Sequence, residues 1–383
     1  MNTSTPWPSD KEPMTQNLTQ VSVLEPLVGT MMEWFAYLAP SGFPKAILFR
    51  FADRLPAPLA SLSPEKFLTL FDLMDKAGLV IHAKTEVHLF APVLKVVQET
   101  LPIPRIQHAI QNAGRVLLAT LATGDTSPMG HHEINRLAWH VQMLAANALK
   151  SQDTSLATQL LQWLDRAGRL LIDPWPDRAI NAHQSALNLS RQILGSHHPL
   201  TITRLNNLGE TWRRLGEFSQ AEQCLLSALS LQQQHLKGHR HLQANCLGNL
   251  GLLKMDQNQL ADARNNLTQA WSFASVTRGL DDPLVFLCIN NLAKIGTILN
   301  DNEHVIQLIH QALARHNKVS RIGSHLNIAI ILNNLAIVEN KAGHLEVARE
   351  TSRKAAAMAR HCLPNGHPQL TRFISQNASR PIP

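Results

Sequence analysis

Aromatic residues are scarce in this 383-residue chain, with one tyrosine and 5% Phe, Trp and Tyr together. Sheets draw on aromatic and branched side chains for their pleated faces, whereas the Leu, Ala, Asn and Gln abundant here suit packed helices. Cysteine is sparser still, with four residues. Cys224, Cys246, Cys288 and Cys362 form no C-x-x-C pair, so neither a zinc cage nor a dithiol redox site is expected. They read as small buried apolar side chains in a reducing compartment. Uninterrupted apolar runs are missing near the amino end: Val21 to Pro40 is broken by Glu25, Pro26 and Glu33. That fits neither a secretory signal nor a spanning helix, so a cytoplasmic location without a membrane partner is expected.

Motifs that carry chemistry are missing as well. There is no G-x-S-x-G, no G-x-G-x-x-G and no Cys-His pairing at a known spacing. Gly78 to Thr85 approximates a phosphate loop, with Ala83 in place of the second glycine and Lys84-Thr85 at its end. A working loop needs a strand before it and a helix after it, so that backbone N–H groups can cradle phosphates. Here the order is inverted. His131-His132-Glu133 begins like H-E-x-x-H, but Arg136 stands where the second histidine belongs and cannot ligate zinc. No catalytic residue, metal or cofactor is therefore expected, and the chain is not read as an enzyme.

What the chain does have is basicity and a repeat. The net charge of +7 is uneven: residues 1–155 hold 12 Lys+Arg against 13 Asp+Glu, and the remainder 23 against 15. Spread over so long a segment, such an excess describes a solvated helical surface, with an acidic partner as the functional alternative. Within that segment, Asn207-Leu208 recurs as Asn249-Leu250, Asn291-Leu292 and Asn334-Leu335, at spacings of 42, 42 and 43. The next residue is small each time: Gly209, Gly251, Ala293 and Ala336. Ala221 recurs as Ala263 and Ala348, with Val305 in the third copy, and Ala228 as Ala270, Ala312 and Ala355. The connectors keep phase too: Gly195 with His198-Pro199, Gly279 with Asp282-Pro283, Gly366 with His367-Pro368.

Small residues at fixed phase let antiparallel helices approach closely, while Gly closes one helix and Pro opens the next. No single pair buries its own apolar stripe, so copies stack. Five pairs are predicted, at 155–194, 198–237, 240–279, 282–319 and 324–362, with a short capping helix near 366–378. The motifs NNLG, G-x-F-x-x-A-E, SAL and LGxxHP resemble the 42-residue tetratricopeptide repeats of the kinesin light chain type. The resemblance implies an all-α, right-handed superhelix of helix pairs whose first helices line a concave groove. It further implies that Asn207, Asn249, Asn291 and Asn334 hold the backbone of an extended peptide; the alternative is that they cap or bridge neighbouring helices. Arg213, Arg214, Lys294 and Lys341 lie near this ladder in sequence and favour an acidic or carboxylate-bearing ligand. The family aromatic survives only as Trp212, replaced by Lys254, Gly296 and Glu339, which predicts looser packing in the later repeats.

The first half reads differently. Residues 23–39 and Pro44 to Phe51 are predicted helices. A third is opened by Ser63 as N-cap and Pro64 at the first helical position, and runs through Phe67, Leu70, Phe71 and Met74 to Gly78. LVIHAKTEVHLF then alternates around Lys84-Thr85-Glu86 as a two-stranded wing. Helices followed by a wing make a winged helix. Its third helix exposes Glu65, Lys66, Asp72, Asp75 and Lys76, a net negative face that phosphates repel, so nucleic acid is not the expected partner. This run, with HHEINRLAWHVQMLAANAL after it, resembles the winged-helix and connector region of bacterial signal-transduction ATPases of the NB-ARC type that end in these repeats. The nucleotide-binding domain of that family is not found in the roughly 22 residues before it.

The expected organisation is a disordered leader over 1–22, a winged-helix-like domain over 23–101, a helical connector over 102–154, the repeat array over 155–378 and a tail over 379–383. The expected function is non-catalytic: an adaptor or sensor that captures a protein or peptide in its groove, related to the sensing arm of a signalling ATPase. A separate NTPase subunit is a candidate partner. A peptide-responsive DNA-binding regulator using the winged helix is the competing reading.

Overall fold

The computed structural model describes residues 11–121, 131–173, 175–277, 282–319 and 325–363, and divides into two compact units, Met1–Ser196 and His197–Pro383. The predicted capping helix near 366–378, the tail, and the connectors at Gly279 and Gly366 to Pro368 lie outside the described residues.

In the first unit, residues 11–22 do not form a leader: they make most of α1 (Lys11–Leu24). Met14 is buried, Leu18 and Val21 pack on the same core, and Asn17 Nδ2 donates to Ala77 O at 3.1 Å. The spacing of these three apolar residues aligns them on one helix face, a stripe easily lost among polar neighbours. Next come α2 (Pro26–Phe35), β1 (Gly42–Pro44), α3 (Lys45–Arg50) and α4 (Pro64–Lys76). As its residues predict, α4 is capped by Ser63 Oγ, which accepts from Lys66 N at 3.3 Å, and it buries Phe67, Leu70, Phe71 and Met74. Gly78 follows at φ +69°, a conformation glycine takes without strain. The chain then forms β2 (Val80–His82) and β3 (Glu86–Leu89), an antiparallel hairpin that β1 extends to a three-stranded sheet in the order β1-β3-β2. Trp34 packs edge-on against Phe35 and Phe43, with ring centroids 5.2 Å apart in each pair.

The helices α5 (Ala91–Thr100), α6 (Ile103–Ala119), α7 (His131–Lys150), α8 (Thr154–Leu171) and α9 (Pro176–Leu194) complete this unit. One hydrophobic core runs from Met14 to Leu189. The predicted first pair of the array, now seen as α8 and α9, therefore shares its interior with the helices before it. Glycine permits the close contacts. A Cβ on Gly114 of α6 would lie 2.6 Å from Leu156 Cδ1, and one on Gly168 of α8 2.6 Å from the His183 ring.

The described residues of the second unit form four pairs: α10 (Pro199–Leu215) with α11 (Phe218–His235), α12 (Arg240–Asp256) with α13 (Leu260–Thr277), α14 (Pro283–Leu299) with α15 (Asn302–Val319), and α16 (His325–Lys341) with α17 (Leu345–Cys362). The small residues of the repeat now have a physical cause. A Cβ on Gly209 would approach Leu225 Cγ to 2.7 Å, and one on Gly251 would approach Leu267 Cγ to 2.6 Å. Ala221, Ala228, Ala263 and Ala270 have no exposed surface, so nothing larger fits between the paired helices.

The turn inside each pair repeats as well. Gly216, Asn258, Asn300 and Gly343 all have positive φ, at +85°, +58°, +56° and +88°. Gly and Asn are the residues that tolerate this left-handed position at a helix C-terminus. In each case the following amide donates to the carbonyl five residues back: Glu217 to Trp212, Gln259 to Lys254, Asp301 to Gly296 and His344 to Glu339, at 2.8–3.0 Å. The accepting carbonyls belong to the four positions where the family aromatic is expected.

Those positions are not loosely packed. Lys254 Nζ binds Glu222 Oε1 at 2.7 Å. Gly296 makes room for Val305, the one exception to the small-residue phase, whose Cγ2 occupies the space a side chain there would need. Glu339 is buried with His310 Nε2 3.9 Å away. Val305 lies on the partner helix of its own pair, whereas Glu222 and His310 reach across from the second helix of the preceding pair.

Candidate functional site

The first helices of the pairs in the second unit bring three of the four predicted asparagines to two clefts. In α10, His198 caps the amino end by accepting from Leu200 N at 3.2 Å, and Pro199 opens the first turn. In α14, Asp282 accepts from Leu284 N at 2.9 Å and Pro283 follows. Both helices therefore start where the His-Pro and Asp-Pro dipeptides place them, which fixes the rotation of everything after.

The first cleft, about 210 Å³, lies between α10 and α12. Asn206 and Asn207 reach it from α10, and Asn245 and Asn249 from α12, one helical turn apart. Ile202, Leu242, Cys246 and, from α14, Leu284 supply its apolar surface. Asn206 is 6% exposed, and its Oδ1 has no hydrogen-bond partner among the described residues. The Cys246 thiol is pushed up to about 12 by burial, so it presents an apolar S–H and not a thiolate. The second cleft, about 480 Å³, lies between α14 and α16. It is lined by Phe286, Leu287, Asn290, Asn291 and Lys294 of α14 and by Asn327 of α16.

Three of the four ladder residues thus face clefts: Asn207 and Asn249 the first, Asn291 the second. Asn291 Nδ2 donates to Leu287 O of its own helix at 3.0 Å. Asn334 bridges helices, its Nδ2 donating to Asn290 Oδ1, which is the alternative role for this position. Asn206, Asn245, Asn290 and Asn327 were not nominated. The signal was present in part: Asn206-Asn207 and Asn290-Asn291 are adjacent pairs, and Asn245 precedes Asn249 by four residues, the spacing that shares a helix face.

The basic residues divide differently. Arg213, with only 14% of its side chain exposed, binds Glu210 Oε2 at 2.7 Å and also pairs with Asp256. Arg214 Nε binds Glu210 Oε1 at 2.8 Å. Burial would raise the Glu210 carboxyl, but the two guanidiniums outweigh it and hold it below the usual carboxylate range. Burial works against the Arg213 charge too, and Glu210 and Asp256 more than restore it. These arginines lock turns of the scaffold together; neither lines a cleft. Lys294 is exposed and lines the second cleft, while Lys341 is exposed in the last turn of α16 and lines neither.

In the first unit, the phosphate-loop resemblance dissolves as its order implies: Gly78 follows a helix, and Lys84 sits in the turn of the β2–β3 hairpin. Glu133 pairs with Arg50 at 3.5 Å, Arg136 with Glu86, and the His132 ring lies 4.6 Å from that of Trp175, so the H-E-x-x-H-like run is held by structural contacts. On α4, Lys66 is paired with Glu25 at 3.1 Å. Among the described residues, no group of three or more His, Cys, Asp or Glu side chains could hold a metal ion, and no helix is long and apolar enough to cross a membrane.

Residues 176–234, covering α9 to α11, match the tetratricopeptide repeat family. Several solved structures are similar at low identity. A Podosopora anserina protein with nearly identical TPR-like repeats of kinesin light chain type is 17% identical, with a TM-score of 0.45, over 52% of this chain and 95% of that one. A signal transduction ATPase with numerous domains and a tetratricopeptide repeat sensor, from Pyrococcus horikoshii, is 12% identical, with a TM-score of 0.43, over 94% of this chain and 54% of that one. A Rap protein complexed with competence and sporulation factor is 10% identical, with a TM-score of 0.39, over 96% and 97%. No curated protein matches the sequence.

Proposed function

We propose that the second unit captures an extended segment of a partner protein along the first helices of its pairs, α10, α12 and α14, and that the chain acts as a non-catalytic adaptor or sensor. One observation carries this reading. Carboxamides from successive first helices converge on two clefts that also offer apolar surface. An extended peptide presents an N–H and a C=O at every residue and side chains to alternating faces. Carboxamides both donate and accept, so they can meet that backbone in either polarity. Asn207, Asn249 and Asn291 are the backbone-holding residues in this account, Lys294 is the one nominated cation at a cleft, and Asn334 is a structural bridge. The helix pairs are read as following a right-handed superhelix.

For the first unit, residues 23–101 are read as a winged-helix-like fold that serves packing, and 102–154 as its helical connector. Support comes from α4, whose Lys66 is engaged by Glu25 and whose Glu65, Asp72 and Asp75 outnumber its other cation, Lys76, with Asp72 itself holding His82 Nδ1 at 2.6 Å. That balance does not favour the DNA-binding alternative.

The test is selection of peptides from a displayed random library by the full chain, repeated with the double replacement Asn207→Ala/Asn249→Ala. Recovery of a shared peptide pattern by the native chain, lost in the variant, supports the reading. A chain that enriches no peptide, or a variant that enriches the same peptides equally well, overturns it.

A further inference from the structure

The first cleft carries more information than a backbone clamp requires. None of its lining residues is charged, and its polar surface consists of four carboxamides and the Thr203 hydroxyl. That hydroxyl is already committed, donating to Pro199 O at 3.0 Å within its own helix. The Asn206 carboxamide is more than nine-tenths buried, and its Oδ1 receives no hydrogen bond. A buried acceptor left unmade is costly, and a rotation of the carboxamide that turns this oxygen toward a ligand donor removes the cost.

The donor's chemistry is constrained by its surroundings. A carboxylate carries no N–H or O–H and would set its charge against the Asn206 oxygen. An ammonium or guanidinium could donate, but the lining offers no acid to pair with it, and a desolvated unpaired charge is unfavourable. The arginines once expected to attract an acidic ligand are held by Glu210 and Asp256. A neutral primary amide satisfies every condition. It both donates and accepts, and its short methylene stem packs on Leu242 and Leu284. A cleft of about 210 Å³ admits one such side chain and no folded element.

We infer that the cleft between α10 and α12 is a specificity pocket for a glutamine or asparagine side chain of the bound peptide, read by Asn206 together with Asn245. This rests on the peptide-capture reading and sharpens it, because the recognised residue is neutral and not acidic. Asn206 sets the preference, and the neighbouring ladder residues Asn207 and Asn249 hold the backbone that delivers the side chain.

The test uses the full native chain and peptides from the displayed library, resynthesised with a fluorophore and titrated by anisotropy. The enriched peptides share a Gln or Asn, and exchange of that residue for Glu or Asp, nearly isosteric but without the donor, weakens binding about tenfold or more. Because the peptide is varied and the protein is not, folding of a variant does not enter. A second arm replaces Asn206→Asp, which keeps an acceptor and adds a charge: the preference then moves from Gln to Lys at the same peptide position. Peptides that bind and lose affinity with Asn207→Ala/Asn249→Ala, yet tolerate or prefer Glu at every position, overturn the pocket while leaving peptide capture standing. A library with no enrichment overturns both.

Discussion

His140 provides a test of the packing in the first unit that can be worked through in numbers. Its ring has no exposed surface, lies 5.0 Å from the Phe43 ring, and its Nε2 sits 3.2 Å from Gly42 O and 3.3 Å from Ser41 Oγ. With Nε2–H donating to the Gly42 carbonyl the imidazole is held as a neutral group, its buried Nδ1 accepting no hydrogen bond among the described residues, and burial lowers its pKa from 6.5 to about 4. In the unfolded chain the same ring takes up a proton near pH 6.5. Between these two values the unfolded state binds more protons than the folded one, so stability is complete above pH 6.5 and falls as the pH drops toward 4. The full difference corresponds to about 3 kcal/mol, of which about 2 kcal/mol is lost by pH 5. Urea unfolding at pH 7.5 and pH 5 measures the loss. Replacement His140→Gln keeps an N–H donor but does not titrate, and the difference between native and variant isolates this ring from the other histidines. NMR titration of the imidazole gives the pKa directly. A ring that titrates near 6.5, or a His140→Gln protein with the same loss between pH 7.5 and 5, refutes the argument.

Other expectations follow from the second unit. Gly251→Val places a branched side chain against Leu267 and destabilises by about 2 kcal/mol in urea unfolding, as overpacking does. Asn258→Ala costs about 1 kcal/mol at the left-handed turn after α12, whereas Asn258→Gly is neutral to stabilising; equal effects of the two in thermal unfolding would contradict the turn assignment. Arg213→Ala leaves Glu210 and Asp256 without their shared partner and destabilises by about 2 kcal/mol. Glu210 is held low in the native fold, so its contribution is present above the ordinary carboxylate range and lost as the pH falls below it. The Arg213→Ala protein accordingly shows a smaller decline in urea stability between pH 7 and pH 4 than the native chain.

The helix pairs were legible because their causes are local and repeat. Proline at the first helical position, His198 and Asp282 as caps, and the small residues from Gly209 to Ala336 each mark a backbone event in the residue that performs it. The turn residues Gly216, Asn258, Asn300 and Gly343 carry an equally clear signal at spacings of 42, 42 and 43; reading them as one position requires seeing Gly and Asn as alternatives for positive φ. The surroundings of Lys254, Gly296 and Glu339 were not legible, since each depends on a residue of another helix: Glu222, Val305 and His310. The same limit applies to the site. The asparagine ladder repeats and could be found, but the engagement of Arg213 by Asp256 joins residues 43 apart in sequence, and proximity to the ladder made a locked arginine look available. The α1 helix was missed because its apolar face has only Met14, Leu18 and Val21 to announce it.

The central claim is that a partner segment lies along α10, α12 and α14, and the most direct measurement is NMR of the asparagine side-chain amides in the full chain as a selected peptide is added. The account predicts saturable shifts at Asn206, Asn207, Asn245, Asn249 and Asn291, with Asn265 and Asn266 on α13 unchanged. Shifts confined to α11, α13 or the first unit, with the cleft carboxamides unmoved at saturation, would contradict it.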